Sequence, residues 1–310
     1  MATTHRIQVT SWGQTPQYTE VPAPPPPSES ETRVHVLAAG VARVVISRAS
    51  GKHYSASQLP HVVGADGVGR REKDGKLVYF SALGPQGSMQ EILNVPTANC
   101  YELPDTADAE NVAAMTNPVM SSWMALTTRV NALPTEFKVL VVGVTSASGR
   151  LAVQVAKHLG AGKVIGVARS EAGIKAIEGV DEAIALKNDP AETEWEKMGD
   201  VDVILDYVYG PAAGIMLSRV PKGKNIQYVQ IGSLGGEETS LPSSVLRSKD
   251  LALRGSGPGA WSMAELQSQL GGIANMAATL ERSPLNVRKF AEIEKAWGEA
   301  GGKERLVLVP

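Results

Sequence analysis

Lys138–Ser170 reads KVLVVGVTSASGRLAVQVAKHLGAGKVIGVARS. Val139–Val142 is a β-branched apolar run closed by Gly143, the pattern of a buried parallel strand. Small residues follow from Gly143 to Gly149, and Ala152, Val155, Ala156 and Leu159 then recur at helical spacing. Gly160 and Gly162 end the helix, and Lys163–Ala168 reads as a second strand. The first turn of this βαβ unit lets backbone approach a ligand closely. Its N–H groups and the positive end of the helix suit a pyrophosphate. The turn departs from a full G-x-G-x-x-G, because Thr145, Ser146, Ala147 and Ser148 occupy much of it before Gly149. A tight βα turn without a ligand is the alternative. The ordered strand, turn, helix and strand favour nucleotide binding.

The end of the second strand addresses which nucleotide. NAD binders place Asp or Glu about 20 residues past the turn, against the ribose 2′-hydroxyl. Here the strand ends Ala168-Arg169-Ser170. Ala168 cannot accept that hydrogen bond, whereas the Arg169 fork can pair with a 2′-phosphate. NADP(H) is therefore expected. The competing reading makes Arg169 a solvated surface residue and Glu171 the ribose ligand.

The 310 residues allow one large or two medium domains. A net charge of -2 gives no general attraction to nucleic acid or to anionic membrane. A single cysteine, Cys100, excludes an internal disulfide framework and points to a reducing compartment. No apolar run approaches the roughly 20 residues of a membrane span, and the N-terminus lacks a signal-peptide apolar region. A soluble cytoplasmic protein is expected.

Arg6–Thr10 reads as a strand, followed by a stiff segment containing Pro22 and Pro24 to Pro27. Arg33–Ala38 resumes as a strand, and residues 40–54 are less regular. The glycine-rich Leu59–Gly69 suggests a bulged strand or turn. Further strands are expected at Leu77–Phe80 and Met89–Val95. The first hundred residues thus read as mainly β. After Pro104, helices are expected at Asp108–Met115 and Met120–Val130. Buried strands are expected at Val201–Asp206 and Asn225–Ile231, with a short sixth at Ala252–Gly255. Helices are expected at Met263–Glu281 and Val287–Trp297, and a final strand at Arg305–Val309. Strands alternating with helices give a doubly wound parallel sheet.

Several segments carry a family resemblance: Leu59-Pro60…Gly64-x-Asp66-x-x-Gly69, the VLVVGVTSASGRLAVQVAKHLGA block, VDVILDYVYG, VQIGSLGG and the terminal LVLVP. In these the chain resembles the medium-chain dehydrogenase/reductases, nearly end to end, and within them the zinc-independent quinone oxidoreductase branch. The resemblance implies an α/β fold. A GroES-like, mainly β domain would comprise 1–116 and 257–310, and a Rossmann NADP(H)-binding domain 117–256. It also implies that Ser121 and Ser122 lie near the nicotinamide ribose. Ile231, Gly232 and Ser233 would face the nicotinamide. Thr145 to Gly149 would cradle the pyrophosphate, and Arg169, Ser170 and Lys187 would serve the 2′-phosphate. A tyrosine that packs there in relatives falls near Leu186.

The departures from the pattern carry information. The catalytic zinc ligands of the alcohol dehydrogenases are an early Cys and a His at the position of Ala65, and neither is present. One cysteine cannot supply a four-cysteine structural zinc site. Asp66 is expected to be a buried acid bonded to nearby backbone. No metal is expected. Without zinc there is no Lewis acid to stabilise an alkoxide, but an electrophilic quinone or enone needs none. The quinone-reductase pattern G-x-N-x-x-D reads Gly40-Val41-Ala42-Arg43-Val44-Val45, so both polar positions are lost. A family tyrosine is replaced near Ser47, while Tyr54 matches a second one that faces the nicotinamide. No Tyr-x-x-x-Lys occurs, which disfavours short-chain dehydrogenase chemistry.

The expected activity is NADPH-dependent reduction of a quinone or an α,β-unsaturated carbonyl, with Tyr54 as candidate catalytic residue. The alternatives are a trans-acting enoyl reductase of polyketide synthesis and a non-catalytic NADPH-binding protein. A homodimer is expected, formed through the edge strand Ala252–Gly255.

Overall fold

The computed structural model describes residues 2–310. They form two compact units. The first runs to Asn117 and resumes at Leu266–Pro310; the second is Pro118–Glu265.

The second unit is built on a six-stranded sheet. Its strands are β1 (Lys138–Val142), β2 (Lys163–Ala168), β3 (Glu182–Ala185), β4 (Val203–Asp206), β5 (Ile226–Gln230) and β6 (Leu251–Gly255). They lie in the order β3-β2-β1-β4-β5-β6, and every pairing is parallel. The chain starts mid-sheet and winds outward both ways. The carboxyl ends of β1 and β4 therefore lie side by side, with Val142 opposite Asp206, where the winding reverses. Ligand crevices of open α/β sheets form at that point. Both strands are buried on two faces, which is why their sequences read as unbroken Val/Ile/Leu runs. Leu140, Ile165, Ile204, Trp195, Met216 and Tyr228 fill the core on one side. The Trp195 indole N–H donates to the Pro190 carbonyl at 2.8 Å, so this fully buried ring leaves no orphan donor.

The first unit is mainly antiparallel. One sheet runs Leu285–Lys289, Arg305–Val309, Glu31–Gly40, Asp66–Arg71, Leu77–Ser81 and Cys100–Glu102, and Ile92–Pro96 also pairs with Glu31–Gly40. A smaller sheet joins Gln17–Pro22, Thr3–Val9 and His61–Val62. Ile7, Val36, Phe80, Leu93, Phe290 and Leu308 form the core beneath them. Gly69 has no room for a side chain: a Cβ there would lie 2.4 Å from the His35 carbonyl oxygen.

Four expectations are corrected. The two helices expected around Pro118 are one, Ala109–Thr128, with Pro118 inside it. Val287–Trp297 is not a helix. Its start belongs to the strand Leu285–Lys289, which pairs in parallel with Arg305–Val309, and short helical turns follow from Phe290 to Glu299. The apolar spacing of 287, 290, 293 and 297 mimics a helix, but a strand partner from the chain terminus prevails. Residues Arg43–Ala49 form a helix within the segment read as irregular. Asp66 is buried as expected, but it accepts a hydrogen bond from the Tyr79 hydroxyl at 3.1 Å rather than from backbone.

Candidate functional site

The turn after β1 is shaped by two glycines. Gly143 has φ +88°, and a side chain there would also meet Val208 at 3.0 Å. A Cβ on Gly149 would lie 2.3 Å from the Gly143 carbonyl oxygen, so the helix Ala147–His158 seats directly on the turn. Ser146 caps that helix: its Oγ accepts from the Gly149 N–H at 3.1 Å, and its own N–H donates to the Gly143 carbonyl at 3.0 Å. The Ser146 hydroxyl is therefore committed to the protein. The N–H groups of Thr145, Ala147 and Ser148 meet no acceptor among the described residues. They stand at the positive end of the helix, an arrangement that fits a pyrophosphate.

At the end of β2, Arg169 is exposed and enters no ion pair among the described residues. Ser170 caps the short helix Glu171–Lys175, its Oγ accepting from the Gly173 N–H at 3.1 Å. Glu171 is held by Lys175 at 2.6 Å, and that contact lowers its carboxyl pKa. Lys187 also bears on Glu171 electrostatically, as a minor contribution to that lowering. The Lys187 backbone N–H donates to Thr193 Oγ1 at 3.0 Å. Among the described residues neither Arg169 nor Lys187 enters an ion pair, while Glu171, the competing acid, is already paired with Lys175.

At the end of β4, Asp206 is buried and organises the next turn. Its Oδ1 accepts from the Val208 and Tyr209 N–H groups at 2.7 and 2.9 Å, and its Oδ2 from the Tyr228 hydroxyl at 2.7 Å. Burial nevertheless raises its pKa. The Ile231 and Gly232 N–H groups, just past β5, both donate to the Asp206 carbonyl, at 2.8 and 3.1 Å. A Cβ on Gly232 would lie 3.0 Å from the Tyr207 carbonyl oxygen. The ends of β4 and β5 are thus locked together. Ser233, beyond them, donates to Glu237 at 3.0 Å.

Ser121 Oγ donates to the Pro118 carbonyl at 2.7 Å and lies 3.0 Å from the Tyr207 hydroxyl. Ser122 is fully buried, and its Oγ donates to the Val119 carbonyl at 3.2 Å. Of the two serines, Ser121 is the one partly open. Tyr207 was not foreseen from sequence. Its signal was its position, directly after a buried strand that ends at the crevice.

In the first unit, Tyr54 is 71% exposed and its ring packs on His53 with centroids 4.1 Å apart. Ala65 is buried in the core. Burial pushes the Cys100 thiol up to about 12 and the His61 imidazole down to about 4. Among the described residues no three His, Cys, Asp or Glu side chains cluster as a metal site. No helix among them is long and apolar enough to cross a membrane.

No family model matches the chain. It is 35% identical to the probable NADPH-dependent quinone reductase tdiC of Emericella nidulans, over 99% of this chain and all of the relative. Its structure superposes on the quinone oxidoreductase of Pseudomonas syringae with a TM-score of 0.78 and 24% identity, covering 99% of this chain and all of the other. It also superposes on a mycobacterial protein, Rv1454c, solved with NADPH, with a TM-score of 0.77 and 20% identity over 99% of this chain and all of that one.

Proposed function

The chain belongs to the medium-chain dehydrogenase/reductase superfamily, in its quinone-oxidoreductase-like branch, and from that premise we propose an NADPH-dependent reductase of a quinone or an α,β-unsaturated carbonyl. The observation that carries this reading is the full-length relationship to tdiC at 35% identity.

When bound, NADPH supplies the hydride. The chain's own residues bind, orient and protonate. The free N–H groups of Thr145, Ala147 and Ser148 hold the pyrophosphate, and Arg169 with Lys187 pairs with the 2′-phosphate. Ser121, oriented by Tyr207, serves the nicotinamide ribose. Ile231 and Gly232 line the nicotinamide with their backbone. Tyr54 donates a hydrogen bond to the acceptor carbonyl. Reduction of a quinone to a hydroquinone takes one hydride and one further proton, which comes from Tyr54 or solvent. Rate then comes mainly from positioning.

The chemistry runs without metal. Ala65 stands where the alcohol dehydrogenases place a zinc ligand, and the lone thiol of Cys100 is held protonated by burial. The working form is a homodimer in a reducing cytoplasm. β6 is the edge of its sheet, with Leu253 39% exposed, and an unpaired apolar edge favours pairing across a two-fold.

The test is NADPH oxidation followed optically with 1,4-benzoquinone, a naphthoquinone and a simple enone. Turnover with a quinone at a rate above the uncatalysed one supports the reading. Tight NADPH binding without turnover of any acceptor would instead make the chain a nucleotide-binding protein. Metal analysis of the purified protein addresses the remaining point: one tightly held zinc per chain, with activity lost on chelation, contradicts metal-free chemistry.

A further inference from the structure

Arg48 lies in the last turn of the helix Arg43–Ala49 and is 4% exposed. Its Nη2 donates to the Gly84 carbonyl at 2.5 Å. Its Nε and Nη1 are buried and have no hydrogen-bond acceptor. Arg48 enters no ion pair among the described residues. A guanidinium remains charged inside proteins, and buried charges are ordinarily paired. A buried guanidinium with two donor atoms unused is therefore a strong local demand for an anion.

The surroundings define that anion. His53 and His61 both feel the Arg48 charge, and burial together with that charge holds both imidazoles below their usual pKa. They are neutral at pH 7, so the cluster carries one positive charge. The Ser55 N–H donates to His53 Nδ1 at 3.2 Å, which leaves the neutral imidazole's proton on Nε2 as a further donor. Next to His53, the Tyr54 ring reaches solvent. One net positive charge and several unused donors suit a monoanion with planar oxygens better than a phosphate dianion.

We propose that Arg48, with His53 beside it, forms an anion subsite next to Tyr54 that takes the carboxylate of an acidic acceptor. The substrate class is then a quinone or enone bearing a carboxylate. Its identification as an acceptor subsite rests on Tyr54 lining the acceptor site; the anion site itself does not.

Benzoate and its neutral isostere benzamide are the probes, titrated into the wild-type protein by calorimetry. Benzoate is expected to bind roughly 10- to 100-fold more tightly, as charge-assisted hydrogen bonds imply. In wild-type protein the Arg48 Nε–H resonance shifts with benzoate and not with benzamide. This reading needs no variant. Arg48→Met abolishes the discrimination, and Arg48→Lys retains part of it. Equal binding of the two probes, or benzoate binding unchanged in Arg48→Met, overturns the site. Displacement of benzoate by chloride at equal concentration overturns the carboxylate assignment and makes the occupant an inorganic anion. Arg48-dependent benzoate binding in a protein that reduces no quinone would break the acceptor reading and leave the anion site. Quinone turnover without benzoate discrimination would do the reverse.

Discussion

Arg305 Nη1 donates to the backbone carbonyl of Ala114 at 3.0 Å, 191 residues away in sequence. Ala114 lies four residues before Pro118, inside the helix Ala109–Thr128. Proline has no N–H, so the carbonyl four residues earlier loses its helical partner. Arg305 supplies the missing donor. The same guanidinium acts electrostatically on the buried Asp66, so one side chain serves a broken helical bond and an interior acid.

Arg305→Met is expected to destabilise the protein by about 1–3 kcal/mol, the cost of leaving a buried polar group unsatisfied. Pro118→Ala restores an N–H at the position that faces Ala114. The double variant should therefore lose less than the sum of the two single changes. Thermal or denaturant unfolding of the four proteins measures this coupling, and strict additivity would contradict it.

Asp66 governs a pH dependence. Burial raises its pKa from 3.8 to about 7, with the Tyr79 hydroxyl and Arg305 opposing the rise. The folded state therefore binds this proton more tightly than the unfolded chain does. Its contribution to stability is fully present below about pH 4 and is lost as the pH rises through about 7. Asp66→Asn, which keeps the shape without the charge, should flatten the stability profile between these values. A variant with the same slope as wild type would show that another group is responsible.

Arg169→Ala should weaken NADPH by about 1.5–3 kcal/mol, roughly 10- to 150-fold, and leave NADH nearly unaffected. Dissociation constants measured by fluorescence for both nucleotides decide this. Equal wild-type affinity for the two would remove Arg169 from the 2′-phosphate.

Tyr54→Phe keeps the ring and removes the donor. If the phenol polarises the acceptor carbonyl, kcat should fall roughly 10- to 100-fold with little change in NADPH affinity. Steady-state kinetics on an accepted quinone or enone tests it. An unaltered kcat leaves Tyr54 as a wall of the pocket and gives the proton to solvent.

Leu253→Lys puts a charge on the edge strand β6. Light scattering at micromolar concentration should give a dimer for the wild type and a monomer for the variant. A monomeric wild type would sink the edge-pairing proposal.

Local chemistry determined the heart of the second unit. In 138–170, an apolar run, a small-residue turn, a helical period and a second run specify strand, turn, helix and strand, because each signal acts over a few residues. One cysteine and Ala65 likewise carry, from sequence alone, the expectation of chemistry without zinc, because ligand identity is a local property. Tertiary structure decided what depends on distant partners. Pro118 reads as a helix break, and the helix continues because Arg305 takes the freed carbonyl. Val287–Trp297 carries a helical period, yet its first residues pair with Arg305–Val309, a ladder that no local window contains. Ser122, Ser146 and Ser170 look alike in sequence as polar cofactor contacts. Folding buries the first and commits the hydroxyls of the other two to helix caps. Hydroxyl partners are set by which backbone N–H groups the fold leaves unpaired. That accounting exists only once the chain is assembled.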